Sequence, residues 1–136
     1  MSIKVAVRVR PFNERELKSN PRCCIEMNGP QTVIRGDGVP ERTFTFDYSF
    51  WSHDSFDEED GIMVPSGPGS NYADQNYVYE VLGKQVLDNA WQGYHCCLFA
   101  YGQTGSGKSY SMIGYGKNLG IVPMACNEIF KRIAEN

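Results

Sequence analysis

One run of residues constrains this chain more than any other: Leu98-Phe99-Ala100-Tyr101-Gly102-Gln103-Thr104-Gly105-Ser106-Gly107-Lys108-Ser109. Gly102, Gly107, Lys108 and Ser109 satisfy the spacing G-x-x-x-x-G-K-[ST]. In that pattern glycine-rich backbone amides cradle phosphates, the lysine reaches the β- and γ-phosphates, and the hydroxyl ligates Mg²⁺. The apolar run from Cys96 to Tyr101 predicts the strand that such a loop follows, and Ser109 onward opens a helix whose N-terminus faces the anion. A Gly/Ser surface loop that happened to carry a lysine would need no such flanking strand. The expected ligand is therefore a nucleoside triphosphate, held by Gly102, Gln103, Thr104, Gly105, Ser106, Gly107, Lys108 and Ser109, with Ser109 as the metal ligand.

The rest of the composition narrows the setting. A chain of 136 residues with 41% hydrophobic and 21% charged content matches one ordinary globular domain. Thirteen basic against 16 acidic residues give a net charge of −3, so no global charge favours nucleic acid or an anionic membrane surface. No run of about 18 apolar residues could insert in a bilayer. Met1-Ser2-Ile3-Lys4 lacks the apolar segment of a secretion signal, which favours a cytoplasmic location. The five cysteines include the adjacent pairs Cys23-Cys24 and Cys96-Cys97 and show no C-x-x-C spacing. They read as reduced, mostly buried thiols rather than zinc ligands.

Read in order, Ile3 to Val9 alternates as a strand and ends at Pro11. Arg8 and Arg10 beside that strand end suit either a phosphate or base contact or a solvated edge. Asn13 to Arg22 reads as a loop. Cys23–Met27, Thr32–Ile34 and Arg42–Phe46, separated by glycine turns, predict a small antiparallel meander. Asp47 follows an alternating strand rather than the continuously apolar one of a Walker-B aspartate, so a strand-end turn is expected of it. Ser52 to Ser70 has loop composition, with Asp57–Asp60 a solvated acidic face. Asp74 caps a helix to about Gln92, interrupted in composition by Gly83 and closed by Gly93. A short helix from Ser109 to Ile113 follows the phosphate loop. Pro123 is expected at the first position of a last helix that buries Cys126, Ile129, Phe130 and Ile133. Helix, tight turn, apolar strand, phosphate loop and helix is the order of a parallel α/β unit. His95, at the far end of the strand from the loop, is not expected to be catalytic.

At this point the residues resemble a family. Phe99 to Tyr110 is similar to the phosphate loop of kinesin motor domains, F-A-Y-G-Q-T-x-x-G-K-[ST]. Val7-Arg8-Val9-Arg10-Pro11-Phe12 resembles their R-x-R-P element, and Gly120-Ile121-Val122-Pro123 their G-I-[IV]-P. Phe46–His53 and Asn71–Gln75 resemble the kinesin-3 subfamily in particular. The resemblance implies an α/β P-loop NTPase fold, a mixed sheet flanked by helices, present in part and carrying a small antiparallel lobe. It implies ATP as the nucleotide. Arg8 and Pro11 would flank the adenine, with Arg10 a weaker candidate and Tyr110 a ring near the base, while Lys108 would bind the β/γ-phosphates and Ser109 the Mg²⁺. Asp47 falls at a position that is not a metal ligand in kinesins.

Two departures qualify the resemblance. The segment from His53 to Asn71 is longer than is usual in kinesin-3. Neither switch I (N-x-x-S-S-R-S-H) nor switch II (D-x-x-G-S-E) occurs in the sequence. The expectation is therefore residues 1–136 as the N-terminal part of a motor domain, without the microtubule-binding elements and neck. Such a part would leave strand edges unpaired and an apolar face open. Its function would be the ATP-binding portion of a motor that moves along microtubules, with ATP/ADP and the microtubule as partners. The alternative is a non-motile module that binds nucleotide or a partner without hydrolysis.

Overall fold

The computed structural model describes residues 3–136. The chain divides into two compact units, one comprising residues up to Ser55 with Ser66–Tyr72, the other Phe56–Pro65 with Ala73–Asn136.

The first unit is built on a parallel pair, β1 (Ala6–Val9) with β5 (Tyr48–Trp51), in the register Ala6↔Tyr48 to Val9↔Trp51. Asp47 sets that pairing. Its amide donates to the Val5 carbonyl at 2.9 Å, and its carboxylate accepts from the Val5 amide at 2.7 Å. The strand-end role expected of Asp47 thus has a definite task. Between the two strands lie α1 (Glu14–Leu17) and a meander of β2 (Ile25–Asn28), β3 (Gln31–Gly36) and β4 (Val39–Thr45). The expected loop from Asn13 to Arg22 is corrected by α1. Asn13 and Glu16 form a reciprocal capping box, which stabilises a single turn that has no apolar stripe. The meander is joined to β5 where Thr32 Oγ1 and Ser49 Oγ share a 2.9 Å hydrogen bond and Ser49 donates to the Pro30 carbonyl. Phe50, Ser52 and Thr32 are buried there.

The second unit contains the hairpin β6 (Phe56–Glu59) and β7 (Ile62–Pro65). Loop composition had hidden it. Asp60 and Gly61 take φ of 52° and 83°, the paired positive values of a type I′ turn, whose twist suits a two-residue hairpin. Its acidic side chains are exposed, as expected of a solvated face.

Asp74 caps α2 (Gln75–Val78), accepting from the Tyr77 amide at 2.8 Å. The helix does not run uniformly to Gln92: a π-helical turn over Tyr79–Gly83 separates α2 from α3 (Lys84–Trp91). The turn lies where Gly83 approaches the last helix. A Cβ on Gly83 would stand 2.9 Å from Ile121 Cγ2 and 2.9 Å from Tyr79 Cδ1. The residue that lowers helix propensity is thus the one that admits its neighbour. Gly93 closes the helix with φ of 96°, as expected of a glycine stop.

Beyond the phosphate loop come α4 (Lys108–Met112), the small hairpin β8 (Gly114–Tyr115) with β9 (Asn118–Leu119), and α5 (Ile121–Glu135). Helix α5 begins two residues before the expected Pro123, which instead occupies its first turn, where its missing N–H has no intrahelical acceptor to lose. Arg132 ties α5 to α3, its guanidinium bonding Asp88 at 2.5 Å and Glu128 at 3.0 Å and lying 5.3 Å from the Trp91 ring centroid.

Three expectations about burial fail. Cys96 to Tyr101 does not form the expected strand: it pairs with no strand among the described residues, and Tyr101 is 98% exposed. On α5, Cys126, Phe130 and Ile133 are exposed, with Phe130 at 71%, although their spacing is that of one face. All five cysteines are exposed thiols. The exposed Phe130 and Ile133 of α5 are an open apolar face of the kind expected above. Three of the cysteines, Cys96, Cys97 and Cys126, lie in those two segments, while Cys23 and Cys24 stand just ahead of β2 in the first unit.

Gly83→Ala is expected to lower the melting temperature. Overpacking against Ile121 and Tyr79 costs about 1–3 kcal/mol, more than the roughly 1 kcal/mol that alanine gains in helix propensity. Thermal denaturation followed by circular dichroism reads the difference.

Candidate functional site: the phosphate loop

The loop Gly102–Gly107 is shaped by its glycines. Gly105 and Gly107 have φ of 83° and 105°, a region that penalises side chains bearing a Cβ. At Gly102 a Cβ would run into Ser106 Oγ, so the backbone closes there only around a hydrogen. The Ser106 amide donates to the Gln103 carbonyl at 3.1 Å and tightens the turn. Gly107 is the N-cap of α4, so Lys108 and Ser109 are its first two residues and their amides have no acceptor within the helix.

Lys108 is half-buried and folds back across the loop. Its Nζ donates to the Gly102 carbonyl at 2.6 Å. This single bond brings the lysine and the first glycine of the pattern together around Ser106. The donor set is an ammonium, helix-start amides and the hydroxyls of Thr104, Ser106 and Ser109. That chemistry fits a polyphosphate, and the exposed Ser109 hydroxyl fits a Mg²⁺ bound with it. Gln103 and Thr104 are exposed at the tip.

Tyr110, one residue beyond Ser109, is half-buried. Its carbonyl accepts from Gln75 Nε2 at 2.7 Å, so the third residue of α4 is tied to the first residue of α2. Gln75 and Asn118, both buried, were missed by sequence reasoning. Gln75 stands between Asp74 and Asn76, and Asn118 between Lys117 and Leu119, so no local pattern sets either apart from its neighbours.

Arg8, Arg10 and Pro11 belong to the first unit, where each has its own local surroundings. Arg8 Nε donates to the buried Ser52 hydroxyl at 2.8 Å. Arg10 makes two hydrogen bonds to Glu16, at 2.6 and 3.1 Å, and a third to the Pro11 carbonyl at 2.9 Å. The Arg10 guanidinium, with help from the Asn13 amide, holds the Glu16 carboxyl down to about 2. His53 Nδ1 lies 3.0 Å from the Arg10 carbonyl, and its ring meets Phe12 edge-on at 4.7 Å. Arg10 is thereby engaged in a local bidentate pair, whereas Arg8 sits at the end of the parallel strands.

Residues 8–136 match the kinesin motor domain family. The chain belongs to that family. It is 53% identical over 135 residues to Kinesin-like protein KIF28 of Rattus norvegicus, an alignment covering 97% of this chain and 13% of that protein. To Kinesin-like protein KIF13A of Homo sapiens it is 46% identical, covering 97% of this chain and 7% of the relative. These relatives are kinesin-3 proteins. Its backbone superimposes with a TM-score of 0.84, at 41% identity, on the KIF14 motor domain with ADP in complex with a microtubule, covering 99% of this chain and 34% of that one. A second KIF14 structure, a two-heads-bound dimer with AMP-PNP on a microtubule, gives a TM-score of 0.83. The kinesin chain described here therefore has a partial kinesin fold and spans about a third of those motor domains.

Glu16 supplies a pH test of the Arg10 pair. Its depressed folded value means that the pair stabilises fully above about pH 4.5, the ordinary carboxyl value, and that this contribution is lost as pH falls through about 2. Carboxyl titration by NMR should give a midpoint near 2 for Glu16. In Arg10→Gln the midpoint should return upward toward the ordinary carboxyl range.

Proposed function

We propose that this chain is the nucleotide-binding, N-terminal part of a kinesin-3-like motor domain and that Gly102–Ser109 is its Mg-ATP site. The observation that carries the reading is Lys108 folded over the Gly102 carbonyl at the start of α4. An ammonium and adjoining helix-start amides are concentrated on one small loop, and anions are stabilised at such a place by both hydrogen bonding and the helix dipole.

In this reading Lys108 exchanges its internal carbonyl bond for the β/γ-phosphates, and the amides of Lys108 and Ser109 at the start of α4 take further phosphate oxygens. Ser109 would hold Mg²⁺, which would supply charge neutralisation at the phosphates. Arg8 and Pro11 flank the adenine and Tyr110 lies near it. Arg10 serves instead through Glu16, holding the chain after β1 so that Arg8 and Pro11 keep their places. The roles of Arg8, Pro11 and Tyr110 rest on the family resemblance, and that of Arg10 on its ion pair.

Phosphoryl transfer also requires an oriented attacking water, and force production requires a segment ordered by the γ-phosphate. In kinesins those tasks fall to the N-x-x-S-S-R-S-H and D-x-x-G-S-E elements, which this sequence does not contain. The whole motor to which such a part belongs would couple ATP hydrolysis to movement along microtubules in the cytoplasm. The chain of 136 residues would bind Mg-ATP without microtubule-stimulated turnover.

Lys108→Ala is expected to abolish Mg-ATP binding measured by titration calorimetry, because it removes the one cation of the loop. Retained affinity would contradict the site. A turnover assay with microtubules should show no stimulation of the 136-residue chain, and measured stimulation would contradict the division of labour described above.

A further inference from the structure

We propose that the β6–β7 hairpin positions the phosphate loop through two buried carboxamides in series, Asn118 and Gln75. This inference rests on the nucleotide reading of Gly102–Ser109 and adds to it a device outside the loop.

Asn118 is 6% exposed and both ends of its carboxamide are used by the hairpin. Its Oδ1 accepts from the Met63 amide at 2.9 Å, and its Nδ2 donates to the Gly61 carbonyl at 3.0 Å. Gly61 belongs to the hairpin turn and Met63 to β7, so one side chain grips the hairpin at its tip. Close by, Lys117 Nζ lies 3.0 Å from the Asp60 carboxylate, an exposed pair that adds little by itself.

The main chain of Asn118 carries the connection onward. Its carbonyl accepts from Gln75 Nε2 at 3.4 Å, and the same nitrogen donates to the Tyr110 carbonyl at 2.7 Å. Tyr110 is two residues from Lys108 in α4. The path from hairpin to loop lysine is thus two side-chain amides and half a turn of helix.

The packing around this path has little slack. A Cβ on Gly114 would run into the Asn118 carbonyl, and one on Gly120 would stand 2.6 Å from the Ile113 nitrogen. The Gly120 amide donates to the Ile113 carbonyl at 3.0 Å. The β8–β9 hairpin is therefore clamped directly to the C-terminal end of α4. A shift of Asn118 must be shared by α4, because interiors packed this closely transmit displacement.

The hairpin is the yielding member of the pair. A two-stranded hairpin is marginal in water by itself, so the order of β6–β7 depends on what holds it. Asn118 gains rigidity from the hairpin, and the hairpin gains order from Asn118. Coupling of this kind is reciprocal: whatever the hairpin contributes to phosphate binding, phosphate binding returns to the hairpin.

Two measurements on the 136-residue chain test it, with Mg-ATP as the probe. Asn118→Ala, which releases the hairpin but leaves the main-chain carbonyl, and Gln75→Leu, which breaks the path to Tyr110, should each weaken Mg-ATP binding at least about fivefold by calorimetry. In the unaltered chain, saturating Mg-ATP should slow hydrogen exchange at the Met63 amide, a readout independent of how any variant folds. Unchanged affinity in a folded Asn118→Ala, or a Met63 exchange rate indifferent to Mg-ATP, would overturn the inference. Lys108→Ala keeps the two readings apart. If it abolishes binding while Asn118→Ala does not, only the positioning role fails; if binding survives Lys108→Ala, the nucleotide site itself fails.

Discussion

Two buried side-chain amides must find partners, and the second unit is arranged to supply them. Leaving a buried carboxamide unsatisfied costs roughly 1–3 kcal/mol for each lost partner, a large share of the stability of a small domain. Asn118 meets the requirement with Gly61 and Met63, and Gln75 with Tyr110 and Asn118 itself. Four elements converge as a result: the β6–β7 hairpin, the start of α2, the phosphate-loop helix α4 and the β8–β9 hairpin. Apolar contacts cannot fix those elements in register so specifically, because hydrophobic attraction has no direction. The glycines at 83, 114 and 120 complete the arrangement by letting backbones approach where a methyl group would collide.

The phosphate loop inherits its geometry from this framework. A glycine-rich loop is entropically costly to order and would wander if only its own turn bond held it. Here its C-terminal end is the first turn of α4, which is tied to Gln75, while Lys108 closes the loop from inside onto Gly102. The first unit is organised by a separate rule. The Asp47 carboxylate and amide grip both polar groups of Val5 and start the parallel pairing of β1 with β5, and the bidentate Arg10–Glu16 pair anchors the chain as it leaves β1.

Much of this was legible in the sequence, and the parts that were not share a cause. The phosphate loop, the Asp74 cap, the Gly93 stop and the meander all depend on local backbone chemistry, which neighbouring residues determine. The β6–β7 hairpin was legible in principle from Asp60-Gly61, a strong I′ signal, but the surrounding proline, serine and acidic residues masked it as loop. The capping box of Asn13 and Glu16 was missed in the same way. Cys96–Tyr101 and the apolar stripe of α5 illustrate the opposite error. Their patterns demand burial and ladder partners, and periodicity reports the demand rather than the supply. Among the described residues nothing meets it, so these segments stand open. Gln75 and Asn118 were invisible for a third reason: their partners are 35 to 57 residues distant in the chain.

Membership of the kinesin motor domain family agrees with both the loop and the fold, since the superposition covers 99% of the chain. The central claim is narrower: Gly102–Ser109 is a polyphosphate cradle in this chain itself. Amide chemical shifts recorded while Mg-ADP is added to the 136-residue chain test it most directly. The account predicts the largest changes at the amides of Gly102 to Tyr110, with the Lys108 ammonium signal moving as it leaves the Gly102 carbonyl. Shifts confined to residues outside that stretch, or none at saturating nucleotide, would contradict it.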